Sequence, residues 1–388
     1  MRFLFVSNNE VHGASEALWT QTVVELKGRG HEVMALAPWL PLQRGNQSLD
    51  YLNAAEIPYK TLARSPLGVV LPKVTSRRFW SRTLRQVTSR FKPDLLVLSN
   101  GPWNDCLPLL PGLNAVEVPF VTLDHGIAEI SWPNGKEIEI IASTYIKAAS
   151  NYFVSESSRY LASVQLGVDL PYSKVVRNPF MVDYDARPPW PENDGMFRAA
   201  CVARYHPRTK GQDILIEIMS LPKWSGRRQR VHCFGGGPGG LAIEREIKRR
   251  SLDNLSLHGF TKDIEAIWKD HHLLVMPSRS ENMPLALVEA MLCGRPAVVT
   301  DVGGNKELIE HGVNGFVAES ATVGSFERTL EEAWQARSRW REMGEAAARK
   351  IRKLIPRHPE KVFADELEMV ATHPRERTLS AYKEASRA

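Results

Sequence analysis

The chain has 388 residues, 43% hydrophobic and 24% charged, an ordinary globular composition with length for two domains. The opening MRFLFVSNN is too short an apolar run for a secretory signal peptide, no cleavage site follows it, and nowhere does the sequence reach the ~18 apolar residues of a membrane-spanning helix. A net charge of +6 and a pI near 9.1 suit a phosphate-bearing partner, whether nucleotide, lipid headgroup or nucleic acid, without choosing among them.

In chain order, RFLFVS reads as a strand, a helix follows from about Ser15 to Arg29, and HEVMALAP is a second strand. PDLLVLSN, PFVTLDHG and NYFVSES are further short apolar runs ending in polar residues. Strands apolar on both faces and separated by helices indicate a parallel sheet covered on both sides. The pattern restarts near residue 197: FRAACVARYH, RVHCFGGGPG, LSLHGF, HLLVMPS and PAVVTDVGG are strands, with GQDILIEIMSL and GLAIEREIKRRS as helices between them. The join falls in VVRNPFMVDYDARPPWPENDG, rich in Pro and Asp. The fold class expected is α/β, two Rossmann-like doubly wound domains. Facing one another, they would set both rows of strand ends on a central cleft, where open parallel sheets bind ligands. The expected division is 1–185, 186–365, and a C-terminal helix within 366–388 that packs back toward the N-terminal domain.

Cys106, Cys201, Cys233 and Cys293 are scattered, with no CxxC and no histidine at ligand spacing, and read as buried thiols of a reducing cytoplasm.

The strand ends carry the chemistry. After the first strand comes NNEVHGAS in place of GxGxxG, and Gly13, Ala14 and Ser15 make a small-residue turn into a helix. That turn suits an anion or sugar oxygen, or is a tight turn and nothing more. Arg204 is followed six residues later by Lys210 and Gly211. A fork donor and a point charge beside a helix start suit a diphosphate; two solvated surface cations fit the spacing equally. FGGGPGG allows close backbone approach but lacks the GK[ST] ending of a P-loop.

In SENMPLALVEAMLCG, Pro284 suits a first helical turn, so Leu285 to Cys293 are expected to be helical, with Gly294 ending the helix. Glu281 then lies beside the free N–H groups of the helix entrance, and Glu289 a turn or so inside, among Leu, Ala and Met, where a carboxylate is costly. A diol fits such a carboxylate, since two hydroxyls donate to its two oxygens. The pair also fits a dipole-favoured N-terminal carboxylate and a buried ion-pair partner.

The run from CVARYHPRTKGQDILIEIM through FGGGPGG to LSLHGFTKDIEAIWKDHHLLVMPSRSENMPLALVEAMLCGRPAVVTDVGGNKELIEHGVNGFV resembles the C-terminal domain of glycosyltransferase family 4, retaining GT-B enzymes that use nucleotide-sugar donors. The match is close over about residues 197–320 and looser in the N-terminal half, through the HGAS turn, LKGRGHEV, TLDHG and YFVSESSRYL. The resemblance implies a hexosyltransferase-type enzyme in which Glu281 meets hydroxyls of the donor sugar and Glu289 the ribose. It implies that Arg204 and Lys210 hold the diphosphate, and that the backbone at Asn282, Met283, Pro284 and Leu285 touches sugar and phosphate. Gly259 and Phe260 would lie near the base, Gly13 in the donor site, and His125 would approach the donor sugar from the N-terminal domain; on local evidence alone His125 also reads as structural. Asn282 stands where glycine is frequent, VVRNPF replaces a linker usually reading Asn-Gly, and His12 precedes Gly13 where a second glycine is common.

The implied reaction is transfer of a sugar to a hydroxyl of a glycan or lipid-linked acceptor in cell-surface polysaccharide or glycolipid synthesis. Leaving-group charge falls on Arg204, Lys210 and the helix dipole, and the acceptor proton on the departing phosphate. No DxD motif in matching context occurs, so no metal is expected in catalysis and the nucleoside-diphosphate sugar is a substrate. KVTSRRFWSRTLRQVTSRFK, residues 73–92, has seven cations and no acid, with Trp80, Leu84, Val87 and Phe91 at helical spacing. It fits a helix resting on an anionic inner membrane face, or a sheet-covering helix with a solvated basic side. Competing readings are a GT-B epimerase or phosphorylase, a non-catalytic subunit of a transferase complex, and a nucleic-acid binder, for which no module is present.

Overall fold

The computed structural model describes residues 1–7, 14–38, 47–62, 72–103, 105, 107–192 and 194–373, without the side chains of 14, 15, 38, 47, 62 and 72–79. Gly13, Cys106 and the last residues of the chain therefore lie outside the described residues.

The chain forms two compact units, residues 1–179 with 358–388, and residues 180–357. In the first, β1 (Arg2–Ser7), α1 (Ala14–Gly28), β2 (Glu32–Pro38), α2 (Gln47–Ala54), β3 (Tyr59–Leu62), α3 (Pro72–Phe91), β4 (Leu95–Asn100), α4 (Leu110–Leu113), β5 (Phe120–Asp124), α5 (Ile138–Lys147), β6 (Ser150–Phe153), α6 (Glu156–Leu166) and β7 (Ser173–Val175) follow in order. The strands make one parallel sheet, β3-β2-β1-β4-β5-β6-β7. Its central strands are buried on both faces, as their unbroken apolar sequences require. Leu4, Val6, Leu96 and Leu98 face one core with Trp80 and Leu84 of α3; Phe3, Phe5, Leu95 and Val97 face another with Leu18 and Trp19 of α1. The edge strands β3 and β7 escape sequence reading because they are short and largely half-buried or exposed, with no apolar run.

The second unit holds β8 (Phe197–Val202), α7 (Pro207–Lys210), α8 (Gln212–Met219), α9 (Pro222–Ser225), β9 (Gln229–Phe234), α10 (Gly240–Arg249), β10 (Leu255–Gly259), α11 (Ile264–Asp270), β11 (Leu273–Met276), α12 (Leu285–Leu292), β12 (Ala297–Thr300), α13 (Asn305–Leu308), β13 (Gly315–Ala318), α14 (Val323–Gln335) and α15 (Trp340–Leu354). Its parallel sheet runs β10-β9-β8-β11-β12-β13. Strand order reverses between β8 and β11, which makes that pair of strand ends the switch point of a doubly wound sheet.

The chain leaves the first unit at Pro179, ahead of the 185/186 boundary expected from sequence. The reason is local bonding. The amide of Met181 donates to Glu289 (2.9 Å), that of Asp183 to Glu265 (2.8 Å), and the Tyr184 hydroxyl to the carbonyls of Arg352 and Ile355 (2.8 and 3.1 Å). The return comes at His358, ahead of 366, because α16 (Pro359–Thr372) restarts on a proline and buries Phe363 and Leu367 in the first unit's core. Arg29 and His31 fasten it through Glu368, at 2.8 and 2.6 Å.

Trp80, Leu84 and Val87 of α3 are buried and Phe91 packs on the same core, so this apolar stripe covers the sheet. Arg82, Arg85, Arg90 and Lys92 remain exposed on the other side. Among the described residues no helix is long and apolar enough to cross a membrane.

Candidate functional site

At the switch point of the second unit, the loop after β8 and the loop after β11 are built against each other. Gly211 has φ +69°, and a Cβ there would lie 2.1 Å from the carbonyl oxygen of Pro277, so only glycine lets the chains approach this closely. The amides of Arg279 and Ser280 donate to the carbonyl of Thr209 (2.8 and 3.3 Å). The Arg279 guanidinium grips both oxygens of Asp213 (2.8 and 2.7 Å) and the carbonyl of Pro207 (2.8 Å). This two-pronged pairing fixes direction as well as distance.

Within that frame, Nζ of Lys210 lies 2.6 Å from Oε1 of Glu281, and the Ser278 hydroxyl donates to the same oxygen at 2.8 Å. Glu281 is 7% exposed, and no bond to its Oε2 occurs among the described residues. A third loop closes on the glutamate from behind. Gly303, with φ +52°, would place a Cβ 2.1 Å from the carbonyl oxygen of Glu281, while the Gly304 amide donates to the Asn282 carbonyl (2.7 Å) and the Thr300 hydroxyl to that of Ser278 (2.5 Å). Asn282 is half-buried and Met283 buried at 5% exposure.

Pro284 precedes α12 in extended conformation (φ −74°, ψ 119°), and the helix starts at Leu285. Proline has no N–H, so the donors at this entrance are the amides of Leu285 and Ala286, which have no carbonyl a turn earlier to bond. Glu289 follows in the second turn, 5% exposed, and accepts from the Met181 amide. Burial pushes its carboxyl up to about 7, against the smaller opposing effect of that bond. The helix ends at Leu292, with Gly294 in the left-handed region (φ +71°).

Arg204 is exposed, and its guanidinium has no partner among the described residues. Its backbone is held: Gln212 Nε2 donates to its carbonyl at 2.8 Å. The glycine-rich turn after β9, read from sequence as permitting close backbone approach, wraps Tyr205. Gly237 (φ +143°) and Gly239 would each bring a Cβ within 2.9 Å of the Tyr205 carbonyl oxygen. The Tyr205 hydroxyl donates to the Cys233 carbonyl (2.8 Å) and accepts from the Gly259 amide (3.0 Å). One buried ring thus ties the Arg204 loop to the ends of β9 and β10. Phe260, just past β10, is 72% exposed.

His125 lies in the first unit, after β5. It is 9% exposed, burial lowers its pKa to about 3, and neither ring nitrogen has a partner among the described residues. Its amide donates to the carbonyl of Asn100 (3.0 Å). Beneath it, Tyr145 and Asn100 both donate to Oδ1 of Asp124, whose burial raises its pKa to about 7.

Arg204, Lys210, Glu281, Asn282, Met283, Pro284, Leu285, Phe260 and Glu289 all fall in the second unit, and His125 in the first. Sequence reading missed Ser278, Arg279, Asp213, Tyr205 and the Met181 amide. The Arg279–Asp213 pair spans 66 positions, so no local spacing announces it. Among the described residues no group of three or more His, Cys, Asp or Glu is arranged to hold a metal ion. Cys201, Cys233 and Cys293 are free and buried.

Two doubly wound parallel sheets are the GT-B fold. HepE of Anabaena, solved in complex with UDP, matches with a TM-score of 0.75 over 95% of this chain and 100% of that one at 18% identity, a likeness of fold. Residues 197–336 match the family model of glycosyl transferases group 1. The poly(ribitol-phosphate) alpha-N-acetylglucosaminyltransferase of Staphylococcus aureus is 31% identical over 117 residues, 30% of this chain and 24% of that protein. The D-inositol 3-phosphate glycosyltransferase of Gordonia bronchialis is 30% identical over 159 residues, 38% of this chain and 34% of that protein. The chain thus spans about a quarter to a third of the length of these relatives.

Proposed function

We propose that this protein is a retaining glycosyltransferase that moves a sugar from a nucleoside-diphosphate sugar to a hydroxyl of a glycan or lipid-linked acceptor. The observation that carries the reading is the union, at one strand switch point, of Lys210, Glu281 and the open N-terminus of α12, with Glu289 one turn further in. The match of residues 197–336 to the glycosyl transferases group 1 model and the UDP bound by HepE support it.

In this reading the diphosphate meets three sources of positive potential: the unpartnered Arg204 fork, Lys210 and the Leu285 and Ala286 amides at the helix entrance. Their charge stabilises the leaving group as the glycosidic bond breaks, and they are already in place when charge develops. Glu281, bonded to Lys210 through Oε1, offers Oε2 to sugar hydroxyls, and Glu289 offers its carboxylate to the ribose diol. Phe260 lies beside the base. The acceptor hydroxyl gives its proton to the departing phosphate, so Glu281 positions and does not attack. No step in this scheme is assigned to a metal.

Peripheral membrane contact, in the same reading, rests on the basic side of α3 alone, because the apolar stripe is buried. Liposome co-sedimentation tests it: binding carried by charge alone fades between low and high salt. The function itself is tested by a panel of nucleotide sugars scored for thermal stabilisation and hydrolysis. One donor is expected to raise the melting temperature and to be turned over; no response to any member contradicts the reading.

A further inference from the structure

The loop that leaves β5 in the first unit is pinned and then opens. Behind the His125 amide, Gly126 sits so close to the neighbouring strand end that a Cβ would lie 2.3 Å from the carbonyl carbon of Gly101. Ile127 and Ala128 are buried. The Ala128 carbonyl accepts from Gln165 Nε2 (2.8 Å) and from the Ser131 amide (2.9 Å). Gln165, 1% exposed, is itself fixed by the indole N–H of Trp103 at 2.7 Å.

On this fixed base Ile130 and Trp132 stand 73% and 60% exposed. Single apolar residues scattered over a surface need no explanation. Two on one pinned loop, at the carboxyl edge where parallel sheets bind ligands, are a different case. The Trp132 indole N–H donates to the Glu129 carbonyl (3.0 Å), so the ring is steadied by its own loop and its polar atom is used up. At 60% exposure much of this electron-rich ring stays open, and such a ring attracts polarised C–H bonds. Along the same stretch of chain Glu129 and Glu139 are exposed and Glu137 half-buried, with Lys136 as the cation among them. That flank repels phosphate and anionic headgroups, and accepts hydrogen bonds from hydroxyls.

We infer that Trp132 is the stacking plate for a sugar ring of an uncharged glycan acceptor, and so sets acceptor choice on the first unit. The inference rests on the transfer reading above. A pyranose supplies both chemistries at once: a C–H face for the indole and hydroxyls for the flanking carboxylates.

The test uses the full chain and its Trp132→Phe and Trp132→Ala variants, with saturation-transfer NMR against neutral oligosaccharides, their phosphorylated counterparts and phosphatidylglycerol vesicles. Neutral saccharides are expected to contact the wild type and Trp132→Phe, and to bind Trp132→Ala about tenfold more weakly, a loss of roughly 1.4 kcal/mol. Acceptor-independent donor hydrolysis is measured in all three, and their melting temperatures are expected to be equal, since Trp132 is 60% exposed. Neutral-sugar binding that is absent in the wild type or unchanged in Trp132→Ala overturns the inference. So does a loss confined to phosphorylated sugars or vesicles. Failure of donor hydrolysis in the wild type counts against the transfer reading alone, while the sugar contacts still decide the plate.

Discussion

Lys210 and Glu281 are bonded to each other at 2.6 Å, with side chains 18% and 7% exposed. Two residues to which the family resemblance gives different parts of a donor are therefore one charge pair. The pairing leaves neither side chain as an unpaired charge in this largely buried corner.

Removing one partner of that pair strands the other. Lys210→Met is expected to abolish turnover and also to destabilise the second unit by about 3–5 kcal/mol, since the Glu281 charge is left buried. The double variant Lys210→Met/Glu281→Gln is expected to recover most of the stability and none of the turnover. Urea unfolding beside a turnover assay checks both. Equal stability of single and double variants would contradict a coupled pair.

Glu289 gives the protein a pH signature. Its folded pKa is raised to about 7 from 4.5 by burial, so between those values the folded state holds a proton that the unfolded state has lost. Stability from this group is present below about pH 4.5, declines as pH rises toward 7, and is gone above it. Glu289→Gln is expected to flatten that decline and to be more stable than wild type at pH 8. Nucleotide affinity runs the other way in the wild type, strengthening as the carboxylate ionises through about pH 7. Thermal melts and nucleotide titrations across pH 5–8 measure both slopes.

The backbone approaches at Gly211 and Gly303 are expected to tolerate no side chain. Each combines a positive φ with a Cβ position 2.1 Å from a carbonyl oxygen, so alanine at either is expected to cost at least ~2 kcal/mol and to raise the donor KM. Gly28, in α1 with nothing within 4 Å of its Cβ position, is the control: Gly28→Ala is expected to be neutral or slightly stabilising.

Arg295 is 2% exposed and has no carboxylate partner among the described residues. It bonds instead to the carbonyls of Pro189 (2.6 Å), His271 and Cys293 (both 2.8 Å) and Trp268, and stacks on Trp190. Burial lowers its pKa to about 10, so it stays charged at neutral pH. Only a planar fork reaches this set of carbonyls, so Arg295→Lys is expected to cost about 2–4 kcal/mol and to loosen residues 186–190, read by amide hydrogen exchange.

Much of this was legible in the sequence for a physical reason: the central strands are buried on both faces, and burial writes an unbroken apolar run. β3 and β7 left no such trace because edges are half-exposed. Glu281, Glu289, Arg204 and Lys210 were visible as polar residues at strand and helix ends. Their mutual bonding was not, since Lys210 meets Glu281 across 71 positions through a loop contact made possible by Gly211. The FGGGPGG turn was read as room for close backbone approach, and the backbone it admits is that of Tyr205. For α3, apolar spacing allowed a bilayer or a sheet; the packing of Trp80, Leu84 and Val87 assigns the stripe to the sheet.

The donor site is tested by titration of the full chain with UDP, GDP, ADP, CDP and TDP by isothermal calorimetry, repeated with Arg204→Gln and Glu289→Gln. One nucleoside diphosphate is expected to bind, and each substitution to weaken it by about tenfold or more, roughly 1.4 kcal/mol. Binding that survives both substitutions unchanged, or no binding of any of the five, would contradict a donor site at the β8/β11 switch point.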